Sequence, residues 1–159
     1  MVLAVQEVSD DGGALAAGLN AASAALADAG VPMEGLMAAA TRAIQVGGGG
    51  GSWADPTAEE EAAPGVATLT VATLPAECAP REGADVVMVD LQWHGGGAPR
   101  GGVPADALAA ALEEARGDCE ATRRDMAQQL RASQLWSERP QAALSDAADG
   151  AAPEPMAVV

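Results

Sequence analysis

The sequence predicts an α+β domain in which two helices pack on a sheet, followed by a disordered acidic tail. Two segments carry apolar residues at helical spacing, and four shorter segments are rich in Val or other apolar residues. Their order is strand, helix, strand, strand, strand, long helix, which is typical of layered α+β folds. Residues 137–159 are rich in Ala, Pro, Asp and Glu without a periodic pattern, which predicts the tail.

The two helices are expected over residues 14–29 and from Pro104 onward. Asp10 and Asp11 precede paired glycines, and aspartate is a good N-cap for the first helix. Gly30 predicts the C-terminal end of that helix. Pro104 suits the first turn of the second helix. The apolar positions are Leu15, Leu19, Ala22 and Leu26 in the first helix and Leu108, Leu112, Ala115, Cys119, Met126 and Leu130 in the second.

Four strands are predicted, at residues 2–8, 36–46, 66–74 and 84–93. The three successive alanines in the second of these would also allow a helix, but an apolar run between two glycine-bearing breaks favours a buried strand. Five glycines at residues 47–51 form a connector, because the Lys-Ser or Lys-Thr of a phosphate-binding P-loop does not follow them. The acidic stretch after this connector is expected to be a polar loop.

The composition limits the classes of function. The chain has 8 basic residues, all arginine, against 23 acidic residues, giving a net charge of −15. This charge repels phosphate backbones, so a broad nucleic-acid-binding face is not expected. Two cysteines do not make a disulfide framework. No signal peptide or apolar run of membrane-spanning length is visible, so an intracellular, reduced protein without membrane contact is expected.

A specific family resemblance lies in residues 11–33. The stretch has an aspartate and paired glycines before an Ala-rich helix, then Asn20-Ala21-Ala22, then Ala-Leu-Ala-Asp-Ala-Gly-Val-Pro-Met at residues 25–33. This pattern resembles ribonuclease PH-type domains. Asp55-Pro56-Thr57, followed by three glutamates, is more similar to the ring subunits of the eukaryotic RNA exosome than to the bacterial enzyme.

The resemblance implies a partial ribonuclease PH-type domain over residues 1–136, with a mixed sheet packed by two helices. Family members begin with a further stretch of strands that carries the basic residues facing RNA. Here Met1 lies directly at the strand before the glycine turn. We therefore expect that this chain lacks the N-terminal half of the domain, through an incomplete gene model.

The resemblance also bears on catalysis. Active members hold phosphate with backbone donors at a helix N-terminus and with a Thr-Arg pair directly after the glycines. Gly12 and Gly13 are followed here by Ala14 and Leu15, which can neither carry charge nor donate a side-chain hydrogen bond. We expect a degenerate phosphate site, with no catalytic residue and no cofactor.

Two acidic residues are weak candidates for the general acid or metal ligands of active members. Asp55 and Glu61 occupy roughly the matching positions, and in principle could hold Mg²⁺ for hydrolysis. A solvated acidic loop is the favoured interpretation. His94 is the single histidine, and without a second histidine or a nearby thiol it is interpreted as a surface-loop residue. No metal site is expected.

The resemblance thus implies a non-catalytic structural subunit of the RNA exosome ring, supporting exonucleolytic RNA degradation and ribosomal RNA processing. Its expected partners are other ribonuclease PH-like subunits, cap subunits, and RNA through the assembled ring. Its expected location is the nucleus, including the nucleolus, and the cytoplasm. Two alternatives stay open: a phosphorolytic or metal-dependent exoribonuclease, and a non-functional truncated fragment.

Overall fold

The computed structural model describes residues 2–47, 51–79, 85–93 and 102–137, and it confirms the α+β class. Within these residues, helices and strands alternate irregularly around one sheet. The elements are α1 (Ala14–Asp28), β1 (Ala38–Gln45), β2 (Ser52–Ala54), α2 (Ala58–Glu61), β3 (Val66–Thr73), β4 (Val86–Trp93) and α3 (Ala105–Ser137). A short 3₁₀ turn at Ala76–Cys78 lies between β3 and β4.

The four strands form one sheet in the order β2-β1-β3-β4, and each neighbouring pair is antiparallel. The prediction of a mixed sheet is therefore wrong for the described part of the chain. Each strand pairs directly with one that runs in the opposite direction, so the sheet contains no parallel pair that would need a crossover. Strand β1 was ambiguous in sequence, and its full pairing with β3 confirms the strand interpretation.

The two long helices lie on opposite faces of the sheet. Ile44, Leu69 and Val71 pack against Ala111 and Ala115 of α3. Successive side chains of a strand point to opposite faces of the sheet. The residues that alternate with Ile44, Leu69 and Val71 along β1 and β3 therefore face α1. Small side chains at these contacts let both helices approach the sheet closely. On the α1 face, Ala39 and Ala72 pack against Ala16, with Leu19, Met37 and Met88 around them.

The predicted strand at residues 2–8 is wrong. This segment is rich in Val, but the structure gives it no strand hydrogen bonds, and Val2 and Val8 are each 94% exposed. Intrinsic strand propensity is weak, because a strand is stabilised by a paired neighbour and a buried face. In the structure this segment lies against α1, where Val5 is beside Gly18, and no described strand pairs with it.

Two short elements appear where the sequence predicted only loops. Ser52–Ala54 forms β2, pairing with residues 42–44 of β1. Ala58–Glu61 forms a single helical turn that begins at Thr57. Both are too short for hydrophobic periodicity to reveal them, although the spacing of Thr57 and Glu60 fits the capping-box signature.

The predicted long helix is confirmed and continues through Gly117 to Ser137, which had been assigned to the tail. The rest of the predicted tail, residues 138–159, lies outside the described residues, as does His94. None of the helices in the described part of the chain is long and apolar enough to cross a membrane.

Candidate functional site

The predicted phosphate site is a two-glycine turn at the start of α1. Gly12 and Gly13 have φ angles of +101° and +63°, which favour glycine over other residues. Gly13 is the N-cap, and no side chain caps the helix there. The expectation of an aspartate N-cap is therefore wrong, because the left-handed glycine turns the chain before either aspartate can reach the first helical amides.

The glycine turn packs directly on the backbone that follows β2. A Cβ atom at Gly12 would lie 2.1 Å from the carbonyl oxygen of Pro56 and 2.9 Å from the nitrogen of Ala58. The amide of Ala58 also donates to the carbonyl of Asp11 at 2.8 Å. The Asp-Gly-Gly motif and the Asp-Pro-Thr motif, 44 positions apart in the sequence, are thus joined by contacts that only glycine permits.

The amides of the turn are already occupied by carboxylates of the same chain. The Gly12 amide donates to Oδ1 of Asp10 at 2.8 Å, and the Gly13 amide donates to Oε1 of Glu61 at 2.9 Å. Backbone amides at a helix N-terminus are the groups that would bind a phosphate. At this turn they bind two carboxylates, which place negative charge where an anion would have to enter.

The short helix α2 positions Glu61. It begins with a reciprocal capping box, in which the Thr57 amide donates to Oε2 of Glu60 at 2.8 Å and the Glu60 amide donates to Oγ1 of Thr57 at 3.3 Å. The bond from the Thr57 amide is the main reason that the pKa of Glu60 lies below its ordinary value of 4.5. One helical turn thereby fixes Glu61 over the amide of Gly13.

The structure places the two acidic candidates in different depressions. Asp55 has a left-handed backbone with φ +53°, and its amide donates to the carbonyl of Thr41 at 3.1 Å. Asp55 lines a cleft shared with Asp118, whereas Glu61 lines a separate depression next to Leu15. Among the described residues, no group of three or more His, Cys, Asp or Glu side chains is arranged to hold a metal ion.

The cleft beside Asp55 has a volume of about 410 Å³ and lies at the β1 edge, between α1 and α3. Six of its 13 lining residues are alanine, and the side chains of Asn20, Thr41 and Asp118 already have hydrogen-bond or ion-pair partners. Asp118 binds Arg42, whose side chain is only 11% exposed and also reaches Glu114 at 2.9 Å. The hydroxyl of Thr41 is hydrogen-bonded to that of Thr70 at 2.9 Å.

Sequence reasoning missed the network around Arg42. The signal was present, since Arg42 is the only charged residue of β1, and Glu114 and Asp118 lie four residues apart on α3. This spacing places both carboxylates on one face of the helix. The network links the centre of β1 to α3.

Asn20 of the family-like motif has a structural role. Its side-chain nitrogen donates to the carbonyl oxygen of Ala39 at 2.9 Å, and its oxygen accepts from the Ala39 amide at 2.7 Å. β2 does not extend to this end of β1. The side-chain amide of Asn20 therefore makes the hydrogen bonds that a neighbouring strand would otherwise make with Ala39.

No protein-family model matches the chain, and no curated protein sequence matches it significantly. The resemblance to ribonuclease PH-type domains therefore rests on the motif residues themselves.

Proposed function

We propose that the chain is a non-catalytic, ribonuclease PH-like ring subunit of the RNA exosome. The motif residues 11–33 and residues 55–57 suggest the family. The observation that carries the non-catalytic part is the occupation of the Gly12 and Gly13 amides by Asp10 and Glu61. Phosphorolysis needs an anionic phosphate at such donors, so a turn that binds its own carboxylates is unsuited to the reaction.

The surrounding charges support the same proposal. Arg42, Arg116 and Arg123 each donate to acidic side chains of this chain, so none of them is free to neutralise a phosphate. Ala14 and Leu15 add no donor beside the glycines, and Leu15 is 41% exposed. The described residues that line the depressions around the turn include no arginine, so an incoming phosphate would displace a carboxylate without gaining a cation there.

In this role the chain would contribute surface rather than chemistry to the ring. Its partners would be other ribonuclease PH-like subunits and the cap subunits, and RNA would be contacted through the assembled ring. The cellular setting would be the nucleus, nucleolus and cytoplasm, where the ring supports RNA degradation and ribosomal RNA processing.

Reconstitution tests the ring assignment. The purified full chain is mixed with the other ring subunits of the same organism, and the product is analysed by native mass spectrometry. We expect a complex that contains one copy of the chain. If the chain remains alone while the other subunits assemble, the ring assignment is wrong.

An activity assay tests the non-catalytic part. The chain is incubated with labelled RNA, inorganic phosphate and Mg²⁺, and nucleotide products are separated by chromatography. We expect neither nucleoside diphosphates nor monophosphates. Leu15→Asp places a further negative charge beside the turn on an exposed side chain. Phosphate-dependent release of diphosphates that this substitution abolishes would show that the turn is a working phosphate site.

A further inference from the structure

The outer strand of the sheet, β4, carries an exposed apolar stripe. Val87, Val89 and Leu91 are 48%, 53% and 38% exposed, and they alternate along the strand. Val89 and Leu91 pair with Val71 and Leu69 of β3, so they belong to the sheet face that α3 covers. The helix α3 lies over β1 and β3 and leaves this β4 stripe (Val87, Val89, Leu91) open.

Within the described part of the chain, the backbone of β4 is also unpaired on its outer side. It is the last strand in the sheet order, and no other strand within the described residues pairs with its outer edge. An eight-residue edge strand with an aliphatic stripe has both requirements for strand addition: unpaired backbone groups and alternating apolar side chains. Val87 lies at an irregularity of the β3–β4 pairing, but the three exposed aliphatic residues still alternate along one strand at the edge of the sheet and form a surface.

The charges around the stripe select the partner. Asp85 directly precedes β4, and Glu113 on α3 lies near it, because both carboxylates bind Arg116. Among the described residues, Arg116 is shared between Asp85 and Glu113, so two carboxylates stand against one guanidinium at this end of β4. A second copy of the chain would bring a further net charge of −15 to this edge, which disfavours self-association.

We propose that β4 accepts a β-strand from a different, basic polypeptide, with aliphatic residues at alternate positions and Lys or Arg between them. The aliphatic side chains would cover the β4 stripe, the backbone would extend the sheet, and the basic side chains would meet the acidic rim. The edge would accept such a strand whether or not the chain is an exosome subunit.

Peptide binding to the full chain tests this proposal. The probe is a fluorescein-labelled peptide, Lys-Val-Lys-Val-Lys-Val, measured by fluorescence anisotropy at low and physiological salt. Two peptides of equal length serve as controls: Glu-Val-Glu-Val-Glu-Val reverses the charge, and Lys-Lys-Lys-Val-Val-Val keeps the composition but loses the alternation. We expect the first peptide to bind at least tenfold more tightly than either control.

Variants of the chain locate the binding. Val89→Lys should weaken binding of the first peptide at least tenfold, whereas Val89→Thr, which keeps the β-branched shape and adds no charge, should weaken it less. Circular dichroism confirms that both variants are folded. If the alternating and the scrambled basic peptides bind equally tightly, charge alone accounts for the binding and the proposal is wrong. A homodimer in sedimentation that Val89→Lys dissociates would also overturn it, because a second copy would then cover the edge.

Discussion

The two edges of the sheet are built in different ways. At the β1 edge, the three-residue strand β2 pairs with part of β1, the Asp55 amide bonds to Thr41, and the Asn20 side chain bonds to Ala39. At the β4 edge, an eight-residue strand ends the sheet with its aliphatic stripe exposed. One edge is thus closed within the chain, and the other remains suited to a partner.

The difference shows how the family-like motifs act in this chain. The glycine turn, Asn20 and Asp55 all lie at the closed edge, where they hold α1, β1 and the residues after β2 together. The residues of these motifs can therefore serve as a structural joint.

Gly12→Ala should break the closed edge most severely. The added Cβ would overlap the carbonyl oxygen of Pro56 on a backbone with φ +101°. We expect a loss of about 3 kcal/mol or more in the free energy of unfolding. Gly117→Ala is the matched control, because no atom lies within 4 Å of its added Cβ and it sits in a helix. It should stabilise by about 0.5–1 kcal/mol. Urea denaturation measures both changes, and equal effects would contradict the close packing at Gly12.

Asp118→Ala should weaken the joint between β1 and α3. It leaves the buried Arg42 with Glu114 as its remaining acidic partner. We expect the free energy of unfolding to fall by about 2 kcal/mol. This loss is smaller than for a fully buried ion pair, because the side chain of Asp118 is about one-third exposed. Arg124→Ala removes an exposed ion pair on the same helix and should change stability by less than about 0.5 kcal/mol. A similar loss of unfolding free energy in both variants would mean that the Arg42 network stabilises the fold no more than an exposed ion pair does.

Asn20→Ala should leave the end of β1 that β2 does not cover without its hydrogen-bond partner. The substitution leaves the amide and the carbonyl of Ala39 without their partner. We expect a destabilisation of about 1–2 kcal/mol. Hydrogen exchange should be faster at the Ala39 amide and unchanged at the centre of β3. Unchanged protection at Ala39 would show that the Asn20 contact does not close this edge.

Val89→Lys should hardly affect stability, because the side chain at the open edge is 53% exposed. We expect a change within about 0.5 kcal/mol in the free energy of unfolding. A large loss of stability would mean that the stripe is already part of the core.

The smallest expected effect is the acid dependence of the capping box before Glu61. The pKa of Glu60 is lowered in the folded chain from 4.5, chiefly by the Thr57 amide. A lowered carboxyl pKa contributes stability that is present above the unfolded pKa and is lost as pH falls through the folded value. Glu60→Gln should therefore make the decline in stability below pH 4.5 slightly less steep. Glu59→Gln, outside the capping box, should leave the decline unchanged in urea titrations across this range.

The sequence by itself determined the long elements. Helices α1 and α3 and strands β3 and β4 carry periodic apolar patterns over enough residues to define them, and the glycine turn was visible as a motif. The loss of side-chain donors at Ala14 and Leu15 also followed directly from residue identity.

Tertiary structure decided what depends on residues far apart in the chain. Residues 2–8 have strand-like composition but no described partner strand, whereas Ser52–Ala54 is a strand only because β1 lies beside it. The contact of Glu61 with Gly13 spans 48 positions, and that of Arg42 with Asp118 spans 76. Local propensity cannot encode such contacts, because each exists only when packing brings a donor and an acceptor within hydrogen-bonding distance.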